Sequence, residues 1–213
     1  MTTTKEHIRL PGRPKQTTQV RDALIDHARI LFISHPYEKV STRRVADCAG
    51  VNMGMIRYYF NNKAGLFETM LRETLSPAHQ VMEETSTDTQ SDFFIAFMSN
   101  FYQVMAKHEN FPRFISRTMQ LSPDALQRKI TEKVMMEHLP IMQAKLKNAL
   151  SEADVMKEGV NANFTYFTML NLMIFPFVAP PEILKLHNIV IDEDFLAGLL
   201  IHNTKLVTQG IIN

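Results

Sequence analysis

Residues 41–67, STRRVADCAGVNMGMIRYYFNNKAGLF, constrain this chain more than any other stretch. They read as two short helices around a tight turn, followed at once by a third. Thr42 is placed to N-cap a helix that carries Val45, Ala46 and Ala49 on one face, at spacings of three and four. Gly50 ends it, because glycine accepts the left-handed backbone that helix C-termini commonly need, and Val51 follows as an apolar plug. Asn52 is a good N-cap for the next helix, in which Ile56, Tyr59 and Phe60 form the inward face. Asn52, Met53, Met55, Arg57 and Tyr58 are left on the other face. A helix that starts with small and polar residues fits a DNA major groove.

This run closely resembles the DNA-binding domain of the TetR (tetracycline repressor) family of bacterial transcription regulators. The matching residues are Thr42, Val45, Ala46, Ala49, Gly50, Val51, Gly54, Tyr59, Phe60, Lys63 and Leu66. One departure is Arg57, where many relatives carry a Tyr that touches backbone phosphate. Beyond about residue 75 the resemblance is one of architecture. It implies an all-α fold: an N-terminal three-helix DNA-binding domain over residues 1–65, and a C-terminal helical effector-binding and dimerisation domain over residues 66–213. Helix four, from near Lys63 to Ser76 or beyond, would join the two.

Charge follows the same division. Up to Gly65 there are eleven Lys and Arg against five acids, a net +6, whereas the remainder has twelve bases against seventeen acids, a net −5. Such asymmetry suits a protein of which one part meets a polyanion. Arg9 to Lys15 contains two prolines and a glycine, so the bases there, Arg13 and Lys15 among them, are expected on an extended arm. It is either a minor-groove contact or a solvated tail. The first helix is expected over Thr18 to Ser34. Thr42, Arg44, Tyr59 and Lys63 are the expected phosphate contacts. Asn52, Met53 and Tyr58 are the expected base-edge readers, with Gly54 allowing close approach and Arg57 able to join either group. For Asn52, plain capping and readout are compatible.

The remaining sequence is helical in character, with no long alternating pattern. Phe93 to Met105 forms an apolar stripe, Pro112 is a break, and Pro140 predicts a kink or a division of the helix from Ile130 to Leu150. Two last helices, Val160 to Phe177 and Phe195 to Gly210, are separated by a connection through Ala179, Pro180 and Pro181. Met and Phe at helical spacing build core, and the resemblance adds a small-molecule pocket among the middle helices. Its expected lining is Phe97, Phe101, Met105, Phe114, Met119, Met135, Leu139, Met142 and Phe167, with Arg117 or His138 as polar anchor. The resemblance also places a homodimer surface on the last two helices, with Phe164, Phe167, Leu170, Met173, Ile174, Leu199, His202, Leu206 and Gln209 as its residues. Two copies on a palindromic operator supply the surface that one helix-turn-helix lacks.

Other classes fit less well. The eight histidines form no metal-binding pair of helical spacing, and there is no glycine-rich phosphate loop or nucleophile elbow, so neither catalysis nor a metal or other cofactor is expected. No apolar run reaches the length of a membrane span, and the N-terminus lacks a signal-peptide core, so a cytoplasmic protein is expected. The single cysteine, Cys48, excludes an internal disulfide. It is expected as a buried small residue, with a redox role left open by Arg43 and Arg44 nearby. The sequence thus implies a DNA-bound regulator released by a small, largely apolar effector. The alternative is a DNA-bound adapter whose second domain binds a protein, and a filled interior without a cavity would favour it.

Overall fold

The first turn of the chain's second helix is set by Ser41, whose hydroxyl accepts from the Arg44 amide at 3.1 Å. In the computed structural model, which describes residues 15–85, 89–107, 110–151 and 156–211, with the side chains at 15–17, 82, 90, 91 and 151 left out, helix α2 spans Thr42–Cys48. Thr42 is therefore the first residue inside the helix and Ser41 the cap. Ser41 is the one in the extended conformation, which lets its side chain fold back on the helix. The helix ends as its sequence dictates. Gly50 sits at φ +65°, the Val51 amide donates to the Ala46 carbonyl at 3.0 Å, and the Gly50 amide donates to Asp47 at 3.2 Å. This is the paired closure that a left-handed C-terminal residue makes possible.

Ten α-helices and one short 3-10 turn make up the described residues. Helix α1, Lys15–Ser34, comes first, then the turn at Tyr37–Lys39, α2, α3 at Gly54–Phe60, and α4 at Lys63–Glu84. They are followed by α5 at Gln90–Ala106, α6 at Asn110–Met119, α7 at Leu126–Ser151, α8 at Ala162–Val178, α9 at Pro181–Leu186 and α10 at Glu193–Gly210. Two compact units divide between Met70 and Leu71, within α4.

In the first unit, Leu24, Ile25, Ala28, Leu31 and Phe32 of α1 are buried with Val45 and Ala46 of α2, and with Ile56 and Phe60 of α3. Phe32, Tyr37 and Phe67 form a three-ring cluster with centroids 4.9–5.5 Å apart, two of its three pairs edge to face. Each such pair adds about 0.5–1.5 kcal/mol beyond burial. The step from α3 to α4 turns on Asn61, at φ +67°, and on Asn62, whose Oδ1 accepts from the Gly65 amide at 3.0 Å. A Cβ on Gly65 would lie 2.1 Å from the Phe60 carbonyl oxygen, so no other residue fits this corner without moving backbone.

The second unit is centred on Phe94, Phe97, Met98 and Phe101 of α5, Leu146 and Leu150 of α7, Met169, Met173 and Phe177 of α8, and Val207 of α10. A buried relay ties three helices together: Asn203 donates to the Tyr102 hydroxyl at 3.0 Å, and Tyr102 donates to the Leu172 carbonyl at 2.8 Å. Burial pushes the Tyr102 phenol up, and the bond from Asn203 opposes that only in part. Lys145 donates to the carbonyls of Glu83 and Thr85, closing the C-terminus of α4 with a cation where the helix dipole favours one.

Several expectations change. Lys15 opens α1 and is not part of an extended arm, since a proline just ahead of a helix removes only an amide that has no intrahelical acceptor. Arg13 lies outside the described residues, as does the side chain of Lys15. Pro140 does not divide α7. It is exposed, as is Met136 one turn earlier, so the carbonyl deprived of its partner sits on the solvent side. Pro112 falls in the first turn of α6, where a missing amide costs nothing. Pro181 is the first residue of α9, so a segment read as connection starts a helix. Cys48 is exposed at the last residue of α2 and does not join the buried Val45 and Ala46.

Candidate DNA-reading surface and effector cavity

Helix α3 turns Ile56 and Phe60 inward, with exposures of 2% and 5%, and the 3.6-residue repeat then turns Tyr58 outward at 74%. Met53 is 53% exposed, and Asn52, Gly54 and Arg57 are exposed beside it, while Tyr59 is half-buried. Asn52 Oδ1 accepts from the Gly54 amide at 2.7 Å. Its carbonyl oxygen is thereby committed to the helix start, and its amide nitrogen keeps two donors for another partner. The rings of Tyr58 and Tyr59 meet edge to face at 4.8 Å, which steadies the otherwise free Tyr58 side chain.

Around this face, Arg43 and Arg44 on α2 are exposed and Thr42 is half-buried. Arg44 reaches His35 Nε2 at 3.3 Å, so its guanidinium is held against the C-terminus of α1. Lys63 is placed differently from the free phosphate ligand its position implies. Its ammonium donates to the Tyr37 carbonyl and lies 4.0 Å from the centroid of the Tyr37 ring. Burial pulls its pKa down, against the opposing pull of Glu38. Sequence reasoning missed this because Tyr37 is 26 positions away and its acceptor is a backbone atom.

The second unit contains a cavity of about 290 Å³. Leu75, Ala78 and His79 of α4 line it with Phe101 and Met105 of α5, and with Phe111, Pro112, Ile115 and Ser116 of α6. Met135, His138, Leu139 and Met142 of α7 and Ile174 and Val178 of α8 complete it. Six of the expected residues meet here: Phe101, Met105, Met135, His138, Leu139 and Met142. Phe97, Phe114, Arg117, Met119 and Phe167 do not line it. Phe97 is fully buried in the core, and Phe114 is buried facing Phe111 at 5.9 Å. Arg117 is exposed, Met119 ends α6, and Phe167 stands 68% exposed. His79 was not anticipated; only the packing of α4 against α7, which no local spacing encodes, brings it beside His138.

Arg72 forms a bidentate pair with Glu137, the second bond at 2.9 Å, and holds that carboxyl below the usual range. His138 has its pKa lowered, chiefly by burial and then by His79, with Glu137 opposing and Arg72 adding a little.

On α8 and α10 an apolar face is open: Phe164 is 75% exposed, Phe167 68%, Ile201 60% and Leu206 48%, with Ile174, His202 and Gln209 exposed as well. Leu170 and Leu199 are half-buried. Met173 is not available to a partner, because it is 1% exposed on the core side of α8.

No helix among the described residues is long and apolar enough to cross a membrane. The sequence signature of the bacterial regulatory proteins of the tetR family matches residues 24–70. Over 197 residues the chain is 24% identical to the "Probable HTH-type transcriptional regulator YttP" of Bacillus subtilis (strain 168), covering 90% of this chain and 93% of that one. Among solved structures it is similar to NalD, the secondary repressor of the MexAB-OprM multidrug efflux pump in Pseudomonas aeruginosa, with TM-score 0.68 and 18% identity over 94% of this chain and 99% of that one. It is also similar to the transcriptional regulator FadR from Bacillus subtilis in complex with stearoyl-CoA, with TM-score 0.65 and 19% identity over 89% of this chain and 98% of that one. Residues 24–70 thus carry the signature of the tetR-family regulatory proteins on the helix-turn-helix formed by α2 and α3, and along its length the chain is similar to HTH-type transcriptional regulators.

Proposed function

We propose that the protein is a homodimeric repressor that leaves a palindromic operator when a small, largely apolar effector enters the second unit. The observation that carries the effector reading is the cavity of about 290 Å³, close to the low end of ligand sites at roughly 300–1,000 Å³. A protein-binding adapter needs no such interior space. FadR, named with stearoyl-CoA, illustrates that this fold can hold a ligand with an apolar tail.

Asn52, Met53 and Tyr58 read base edges in this account, and Gly54 lets the helix approach closely. Thr42, Arg44, Arg57 and Tyr59 hold phosphates. Lys63 acts from within, by fixing the turn at Tyr37. The apolar face of α8 and α10 supports dimerisation, since rings as exposed as Phe164 and Phe167 are seldom left in water as a contiguous patch. Release follows from linkage. An effector that binds the non-operator conformation better weakens DNA binding by its own difference in affinity. Helix α4 supplies Leu75, Ala78 and His79 to the cavity and Leu66, Phe67 and Met70 to the core of the first unit. The test is operator binding by gel shift or anisotropy with and without small molecules extracted from the purified protein. Extract that releases DNA supports the reading; an adapter would hold DNA regardless.

A further inference from the structure

Two histidines interrupt the hydrocarbon wall of the cavity. His79 of α4 and His138 of α7 meet edge to face with ring centroids 4.8 Å apart. Nε2 of His79 and both ring nitrogens of His138 are buried and have no hydrogen-bond partner. A buried polar atom without a partner is costly to keep, so three in one wall mark a place that a polar group completes.

The charges around the pair define that group. Among the described residues, the only titratable side chains lining the cavity are these two bases, and no carboxylate lines it. On α4 and α7 the groups acting on the pair are Glu83, 3.7 Å from His79 Nδ1, and Arg72 with Glu137, which neutralise each other. The lining residues of α5, α6 and α8 are all uncharged, and Arg113 and Arg117 of α6 lie outside the lining. Glu83 lies on the Nδ1 side of His79, while Nε2 of the same ring has no hydrogen-bond partner. The described wall of the cavity therefore carries bases and no acids.

We infer that His79 and His138 form the head-group subsite of the cavity, selecting an apolar molecule that ends in one carboxylate and taking up a proton as it binds. This rests on the effector reading above. Burial lowers the pKa of His138, and a carboxylate beside it would oppose that by giving the imidazolium a partner. An alcohol would use the neutral rings without moving a proton, and an amine would meet no acid. At about 30 Å³ per water-sized group, the volume admits roughly ten heavy atoms, the size of octanoate.

Calorimetric titration of the full chain with octanoate, octan-1-ol and octylamine, at about pH 6 and about pH 7.5 in buffers of different ionisation heat, tests the inference. Octanoate should bind at least about tenfold more tightly than octan-1-ol at the lower pH. Its affinity should fall by up to roughly tenfold per pH unit above the histidine range, with close to one proton taken up. Histidine ring NMR of the unaltered protein should show a nitrogen of the pair becoming protonated on addition of octanoate. The double variant His79→Gln/His138→Gln should lose both proton uptake and the preference for octanoate over octan-1-ol. Equal affinity for acid and alcohol, absence of proton uptake, uptake that persists in the double variant, or no binding of any probe would each overturn it. Operator binding separates the two readings. If octan-1-ol releases DNA as well as octanoate does, the effector reading stands without the carboxylate subsite. If octanoate binds with proton uptake and DNA is not released, the subsite stands without the effector role.

Discussion

Lys63 at the start of α4 donates its ammonium to the Tyr37 carbonyl and lies 4.0 Å from the centroid of that residue's ring. A charge-assisted hydrogen bond and a cation-π contact thus pin the 3-10 turn between α1 and α2 to α4, the helix that follows α3. Lys63→Met should lower the stability of the first unit by about 1–3 kcal/mol in urea unfolding, with little change in the salt dependence of DNA binding. Unchanged stability with a salt slope reduced by about one would restore Lys63 as a phosphate ligand.

Gly65 is the second fixed point of this corner. Gly65→Ala places a methyl group where the Phe60 carbonyl already is. A loss of roughly 2–4 kcal/mol in thermal or urea unfolding is expected, because backbone and not a flexible side chain must yield. A melting temperature equal to that of the unaltered protein would contradict the geometry.

Readout and positioning separate in binding experiments. Arg44→Ala should weaken all duplexes alike and reduce the salt slope by about one, whereas Tyr58→Ala should change sequence preference by about 1–3 kcal/mol at the positions it reads. Selection from a randomised duplex pool distinguishes them; the same preference for both variants would sink the assignment of Tyr58.

Because His138 holds its proton less tightly in the folded chain than in the unfolded one, the unfolded state binds more protons below about pH 6.5. The stability contributed by neutral His138 is complete above that pH and is lost as the pH falls through the lowered folded value. Urea unfolding of the second unit should therefore become easier between about pH 7 and pH 5. His138→Gln should flatten the dependence; an unchanged slope would place its origin elsewhere.

The exposed face of α8 and α10 predicts that Phe164→Asp together with Phe167→Asp gives monomers in sedimentation while preserving the helical spectrum. Operator affinity should then drop by on the order of 30-fold or more, the loss expected when interface anchors are removed. A dimeric double variant would move the interface to another surface.

The helix-turn-helix was legible because its signals are local. Gly50 adopts the left-handed backbone its place in the run requires, and Ile56 and Phe60 face inward at the predicted spacing. The assignment of Thr42 as cap slipped by one residue because Ser41 and Thr42 carry equivalent hydroxyls and only backbone conformation separates them. Proline was read too strongly at Pro140 and Pro181, where solvent exposure in one case and the helix start in the other remove its cost. The pocket was legible in part. Met135, His138, Leu139 and Met142 share one side of α7, but the choice between core and cavity for Phe97 or Phe114 depends on how five helices meet, and sequence spacing does not encode that. Met173 shows the same limit, since an apolar residue on α8 can face core or partner with equal sequence credentials.

The most direct test is anisotropy of a labelled duplex from the chain's own upstream region against a scrambled duplex of equal length, across a salt series, with and without small molecules extracted from the protein. The account predicts preferential binding of two chains per duplex, an affinity that falls steeply with salt, and release by the extract. Equal binding of both duplexes with no dependence on salt would contradict it.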